Sequence, residues 1–103
     1  MKAAVYRGDG RIVAEEWPRP VIGDGEVLLR LNGCGLCGSD IAKIMSPATP
    51  VPVVLGHEVV GEVAAIGVGV ANCAIGDRVV AAHHVPCGEC HYCRRGSESM
   101  CRA

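Results

Sequence analysis

Apolar and polar residues alternate along this chain in short segments that turn signals cut repeatedly. Residues 3–6 and 11–17 read as two strands separated by Gly8-Asp9-Gly10, a hairpin-type turn. Pro18, Pro20 and Gly23-Asp24-Gly25 lead into residues 26–32. There Val27, Leu29 and Leu31 alternate with Glu26, Leu28 and Arg30, the clearest period-2 signal in the chain. Ser39-Asp40 followed by Ile41 to Met45 predicts an N-capped helical turn or short helix, stopped by Pro47 and Pro50. Residues 51–69 are rich in Val and punctuated by Gly56, Gly61 and Gly67, which predicts bent strands rather than a helix. Residues 77–83 predict a further short strand. The expected fold is mainly β: a partly open β-barrel with one short helix. From Pro86 onward the Val-rich pattern stops and a small cysteine-rich lobe, 86–103, is expected beside the barrel.

The length, 103 residues with half of them hydrophobic, allows one compact domain. Ten basic side chains against eleven acidic ones give a net charge of -1, which leaves no surplus to neutralise a nucleic acid or an anionic lipid face. No apolar run approaches the roughly 18 residues that would predict a transmembrane helix. Met1-Lys2 leads into a strand without an extended apolar stretch, so the cytoplasm is the expected compartment. With no Phe and only three aromatic residues, the core is expected to consist of Val, Ala, Leu and Ile. Seven cysteines, an odd number, cannot all pair as disulfides, and metal binding is the better first reading.

Cys87, Cys90, Cys93 and Cys101 form a C-x2-C-x2-C-x7-C run. Two-residue spacings let a tight turn aim successive thiolates at one point, and the longer loop brings the fourth round to close a tetrahedron. Zinc suits this set, and iron is compatible with four thiolates as well. On a divalent ion the set is negatively charged and closed, the condition of a structural site. A second, looser constellation is Cys37-Gly38-Ser39-Asp40 followed by Gly56-His57-Glu58. One thiolate and one neutral imidazole leave a divalent ion with open positions, as a catalytic metal requires. Asp40 could accept the other ring N–H of His57. On spacing alone, a buried cysteine and a satisfied core histidine are the better explanation of Cys37 and His57.

Four ordered motifs add a resemblance. Gly35-Leu36-Cys37-Gly38-Ser39-Asp40, then Pro52 to Gly61 with Gly56-His57-Glu58, then Gly76-Asp77-Arg78-Val79, then the four-cysteine lobe resemble the N-terminal, GroES-like catalytic domain of the zinc-containing alcohol dehydrogenases in the medium-chain dehydrogenase/reductase family. The likeness runs from Met1 to Ala103. It implies that Cys37 and His57 are catalytic-zinc ligands. Glu58 matches the carboxylate that bonds that zinc directly in some members and sits behind it in others. Ser39 matches the hydroxyl that passes on the substrate proton, and Asp40 the carboxylate that steadies the histidine. Cys87, Cys90, Cys93 and Cys101 match the structural-zinc ligands. The implied activity is oxidation of an alcohol or polyol, with zinc-alkoxide formation and hydride transfer to NAD(P) in the full-length enzyme.

The sequence departs from the family pattern in two respects. Ala42 stands where some members carry a relay histidine, so the proton path is expected to end in water or at His84. His84, three residues before Cys87, matches an active-site histidine of threonine-dehydrogenase-like members, and a solvated loop residue is an equal alternative. The nicotinamide-binding Rossmann domain is not in the sequence. Gly67-Val68-Gly69 begins like a dinucleotide fingerprint, but Asn72 falls where the third small residue should be, and a strand-to-strand turn is expected. No cofactor-binding residues are therefore assigned. Cys34 and Cys73 are expected as small core residues. The expected ligands are two zinc ions, one catalytic and one structural, and a small-molecule substrate; NAD(P) is expected only with a Rossmann domain. Self-association into a homo-oligomer is left open. The competing expectations are a stand-alone zinc-stabilised interaction module and a fragment of a longer gene product.

Overall fold

The computed structural model of the chain describes residues 1–102, so Ala103, the final residue of the expected lobe, lies outside the described residues. Six strands, one helix and two single-turn 3₁₀ segments follow in order. Strands β1 (Lys2–Tyr6) and β2 (Ile12–Glu16) form the hairpin around Gly8-Asp9-Gly10, closed by Arg11 N–H donating to the Gly8 carbonyl at 2.8 Å. Strand β3 (Val27–Gly35) leads into helix α1 (Gly38–Met45). Strands β4 (Val53–Val54), β5 (Glu58–Ile66) and β6 (Arg78–Val80) complete the set.

The strands form two antiparallel three-stranded sheets, ordered β2-β1-β4 and β3-β5-β6. Neither sheet closes on itself, in keeping with the partly open barrel expected from the sequence. The core is small: Val5, Tyr6 and Val63 are its buried apolar side chains among the described residues. The Tyr6 hydroxyl donates to the Ile44 carbonyl at 2.9 Å, which ties the first sheet to the C-terminal end of α1. Gly67-Val68-Gly69 is a turn, as expected: the Gly67 N–H donates to the Glu26 carbonyl and the Gly25 N–H to the Val68 carbonyl.

Three sequence expectations need correction. Leu31 keeps the alternation with Val27 and Leu29 but is 58% exposed. Leu31 pairs with Gly61, which offers it no side chain to pack against; the ladder's two bulges add Ala64 to β5 and Asn32 to β3, the latter reversing the face of the residues that follow Leu31. β3 also runs past Asn32 to Gly35, since its ladder with β5 supplies partners to Gly33, Cys34 and Gly35 despite their poor strand propensity. Finally, α1 is capped at Cys37 and not at Ser39-Asp40. Asp40 occupies the third helical position and its Oδ2 accepts the Cys37 N–H at 3.1 Å, the carboxylate half of a capping box.

Candidate metal centres

The β3–β5 ladder ends where Gly35 pairs with Glu58, and this rung brings together the two segments that hold the first candidate centre. Cys37 follows β3 by two residues and His57 precedes β5 by one. Between them Gly56 has φ +109°, a conformation that L side chains rarely adopt, and a Cβ there would lie 2.7 Å from Cys34 Sγ. Position 56 therefore requires glycine both for its backbone and for the thiol packed against it. Ligand atoms of Cys37, His57 and Glu58 all lie within 4.8 Å of one another.

Each nitrogen of the His57 ring has its own neighbour. Nδ1 lies 3.3 Å from Oδ1 of Asp40, whose side chain is almost wholly buried, and Nε2 lies 3.4 Å from the Ser39 hydroxyl oxygen. The Asp40 carboxylate favours the proton on Nδ1, which leaves the Nε2 lone pair facing Ser39. Being the second helical residue, Ser39 is free of capping duty and exposed.

The three titrations reinforce one another. Hydrogen bonds from the Ser39 hydroxyl and backbone N–H, then His57, hold the Cys37 thiol below its ordinary range. The Cys37 thiolate and the Asp40 carboxylate raise the His57 imidazole against the opposing effect of its partial burial. The Cys37 N–H, with His57, holds Asp40 below the usual carboxylate range despite its burial. The thiol and the buried carboxylate thus each favour the charged form of the imidazole, and the imidazole favours the charged form of both.

The ring packed on His57 is His83, at 5.6 Å between centroids and 60° between planes. His84, singled out from the sequence, stands one ring further out, 6.4 Å from His83, with Nε2 buried and unbonded among the described residues. No sequence signal separates two adjacent histidines, because the path of the loop after β6 decides which one meets His57: His83 does so while exposed, and His84 is the more buried of the two. Cys34 is exposed and Cys73 half-buried, so neither is the small core residue expected.

The second centre is local. Cys87, Cys90, Cys93 and Cys101 present sulfurs that all lie within 4.8 Å of one another. Cys87 Sγ is 3.9 Å from Cys93 Sγ, and Cys90 Sγ is 3.6 Å from it. Four sulfurs at about 2.3 Å from one ion sit about 3.8 Å apart along a tetrahedron's edges, so these separations fit a closed thiolate site. Backbone N–H groups stabilise the sulfurs further: that of Cys90 donates to Cys87 Sγ, and that of Cys87 to Cys101 Sγ, each at 3.3 Å. Single-turn segments Cys93–Arg95 and Glu98–Met100 shape the loop. The backbone N–H groups of Cys93 and Arg102 pull the Cys90 thiol down to about 6, whereas burial pushes the Cys93 thiol up to about 12. One thiolate is thus ready for a cation and a neighbouring thiol needs the cation to ionise it.

Both donor sets fit a divalent ion with affinity for sulfur and imidazole, of which zinc is the simplest. The four-sulfur set is saturated, whereas Cys37, His57 and Glu58 leave room for a further ligand.

A family profile described as "Alcohol dehydrogenase GroES-like domain" matches residues 23–103. Acryloyl-coenzyme A reductase of Metallosphaera sedula is 42% identical across the whole chain, and sorbitol dehydrogenase of Bacillus subtilis is 39% identical over 98% of it. The chain spans 32% and 30% of those two proteins, about a third of the length of the curated relatives it matches. Among solved structures, alcohol dehydrogenase TADH from Thermus sp. ATN1 superposes on 99% of the chain with a TM-score of 0.89 and 36% identity, the match covering 30% of its own chain. Among the described residues, no helix is long and apolar enough to cross a membrane.

Proposed function

Because the chain belongs to the GroES-like alcohol dehydrogenase family, we propose that it is the catalytic zinc-binding domain of an NAD(P)-dependent alcohol or polyol dehydrogenase. The observation that carries this reading is the convergence of Cys37, His57 and Glu58 on one point with the Ser39 hydroxyl beside them. Cys37, His57 and Glu58 would hold the catalytic zinc, and Cys87, Cys90, Cys93 and Cys101 a structural one. The catalytic ion supplies Lewis acidity toward the oxygen of an alcohol.

The remaining steps belong to side chains. Ser39 takes the substrate's hydroxyl proton at Oγ, 3.4 Å from the imidazole edge, and its exposure gives that proton a way out to water. Asp40 fixes the His57 tautomer from behind, and its own position is held by the Cys37 N–H. Such supporting partners change metal affinity or activity by about 10–100-fold when removed. His84 could serve as a later proton acceptor, with His83 between it and His57. Hydride acceptance is assigned to NAD(P) on a separate nucleotide-binding domain, because the Gly67 turn here is occupied in joining β5 to the loop before β3.

Metal stoichiometry tests the reading against a zinc-stabilised interaction module. Two differently built sites predict about two metal ions per chain by elemental analysis, falling to about one in His57→Ala. A wild-type value of about one that His57→Ala leaves unchanged would favour the module.

A further inference from the structure

Two glycines flank the pocket, and they are glycines for different reasons. Gly56 has a positive φ, whereas Gly35 does not. Backbone conformation therefore does not explain the residue at 35. Gly35 is the last rung of the β3–β5 ladder, directly opposite Glu58. Residues facing each other across an antiparallel pair project their side chains to the same side. A Cβ built on Gly35 would stand 3.0 Å from the Glu58 Cβ and would collide with Glu58 Oε2. The Glu58 carboxylate thus lies folded back over position 35, in space that any other residue would fill. In that orientation its ligand oxygen reaches within 4.8 Å of the donor atoms of Cys37 and His57.

We propose that Gly35 is a positioning residue: its missing side chain is the slot that lets the Glu58 carboxylate fold back onto the metal pocket. The inference rests on the zinc-binding reading above, and it adds a residue that acts through the space it leaves empty and not through a side chain. The atom displaced by a side chain at 35 is chiefly the tip of Glu58, so the main consequence of filling the slot is loss of the carboxylate from the pocket rather than loss of the sheet.

The test is a double-mutant cycle in the full chain, read by zinc affinity in chelator competition and by the visible absorption of the cobalt-loaded protein. Gly35→Ala is expected to weaken the pocket by about 10–100-fold and to reproduce the cobalt spectrum of Glu58→Ala, with far-UV circular dichroism and the four-sulfur ion unchanged. The Gly35→Ala/Glu58→Ala pair is expected to bind no more weakly than Glu58→Ala alone, because both changes remove the same ligand. A Gly35→Ala chain that binds like wild type, or a full additional loss in the pair, overturns the proposal. A nuclear Overhauser contact between the Gly35 α-protons and the Glu58 γ-protons, measured in the unsubstituted metal-loaded chain, is a check independent of how Gly35→Ala folds, and its absence also overturns the slot. His57→Ala separates the two levels. If it releases pocket metal while Gly35→Ala does not, this inference alone fails; if it releases none, the underlying reading fails too.

Discussion

The two candidate centres differ in what holds their ligands together. Three cysteines of the lobe fall within seven residues, and the fourth is brought back by two single-turn segments with no strand beneath them. The pocket instead draws Cys37 from the start of α1 and His57 and Glu58 from the start of β5, and it joins them through the β3–β5 ladder, the Gly56 turn and buried Asp40. A sheet can present Cys37, His57 and Glu58 to an arriving ion. The lobe has almost no apolar interior, so the ion itself must supply most of its folding energy.

Metal removal is the largest effect expected from this contrast. Structural zinc contributes an apparent free energy of about 10–16 kcal/mol in small thiolate peptides. That rivals the roughly 5–15 kcal/mol that holds an entire domain. Exhaustive chelation should therefore abolish amide-exchange protection across residues 87–101 while leaving protection in β1, β3 and β5. Equal loss in the strands would show that the lobe and the sheets unfold as one unit, and the contrast would be gone.

Next in size is the response to pH. Cys93, pushed up to about 12, keeps its proton until the ion displaces it, so this residue alone should make lobe affinity rise about tenfold per pH unit throughout the neutral range. Cys90, pulled down to about 6, is already a thiolate above that value and adds its own proton to the competition only below it. In the pocket Cys37 is lowered and His57 raised. A raised imidazole competes with the ion as pH falls through its folded value and stops competing above it. Pocket affinity should therefore fall on acidification and, as far as these two groups are concerned, level off on the alkaline side while the lobe still climbs. Chelator competition on the two metal equivalents across about pH 6–9 would resolve the slopes. Parallel slopes would mean that the two centres ionise alike.

This contrast also explains which parts of the molecule could be read from the sequence. The lobe was legible because its geometry is local: C-x2-C-x2-C-x7-C is nearly the site itself. The Gly8-Asp9-Gly10 hairpin and the Gly67 turn were legible for the same reason. The pocket residues were named through the resemblance, since spacing alone could not distinguish Cys37 and His57 from core residues. What stayed hidden depends on register. Leu31 is exposed because the residue paired with it is Gly61, His83 rather than His84 meets His57 because of the path after β6, and the use of Gly35 appears only once Glu58 is known to face it.

The smallest expected effect tests the sheet's share of the contrast. Gly61 is buried in β5 opposite Leu31, beside the second bulge. A Cβ at 61 would lie 2.6 Å from the Arg30 carbonyl oxygen and 3.3 Å from the Leu31 Cα. Both are main-chain atoms of the paired strand, so no side-chain tip can swing aside, and the ladder itself must shift. Overpacking of this kind costs about 1–3 kcal/mol. Gly61→Ala should lower the unfolding free energy of the metal-loaded chain by that amount, read as a lower urea midpoint, and weaken the pocket, because β5 begins at Glu58 and His57 immediately precedes it. The cobalt–thiolate absorption of the four-sulfur site should be unchanged, since neither sheet forms that site. If instead the lobe lost its ion along with the pocket, the lobe would depend on the sheet for its geometry, and the local origin argued for it here would be wrong.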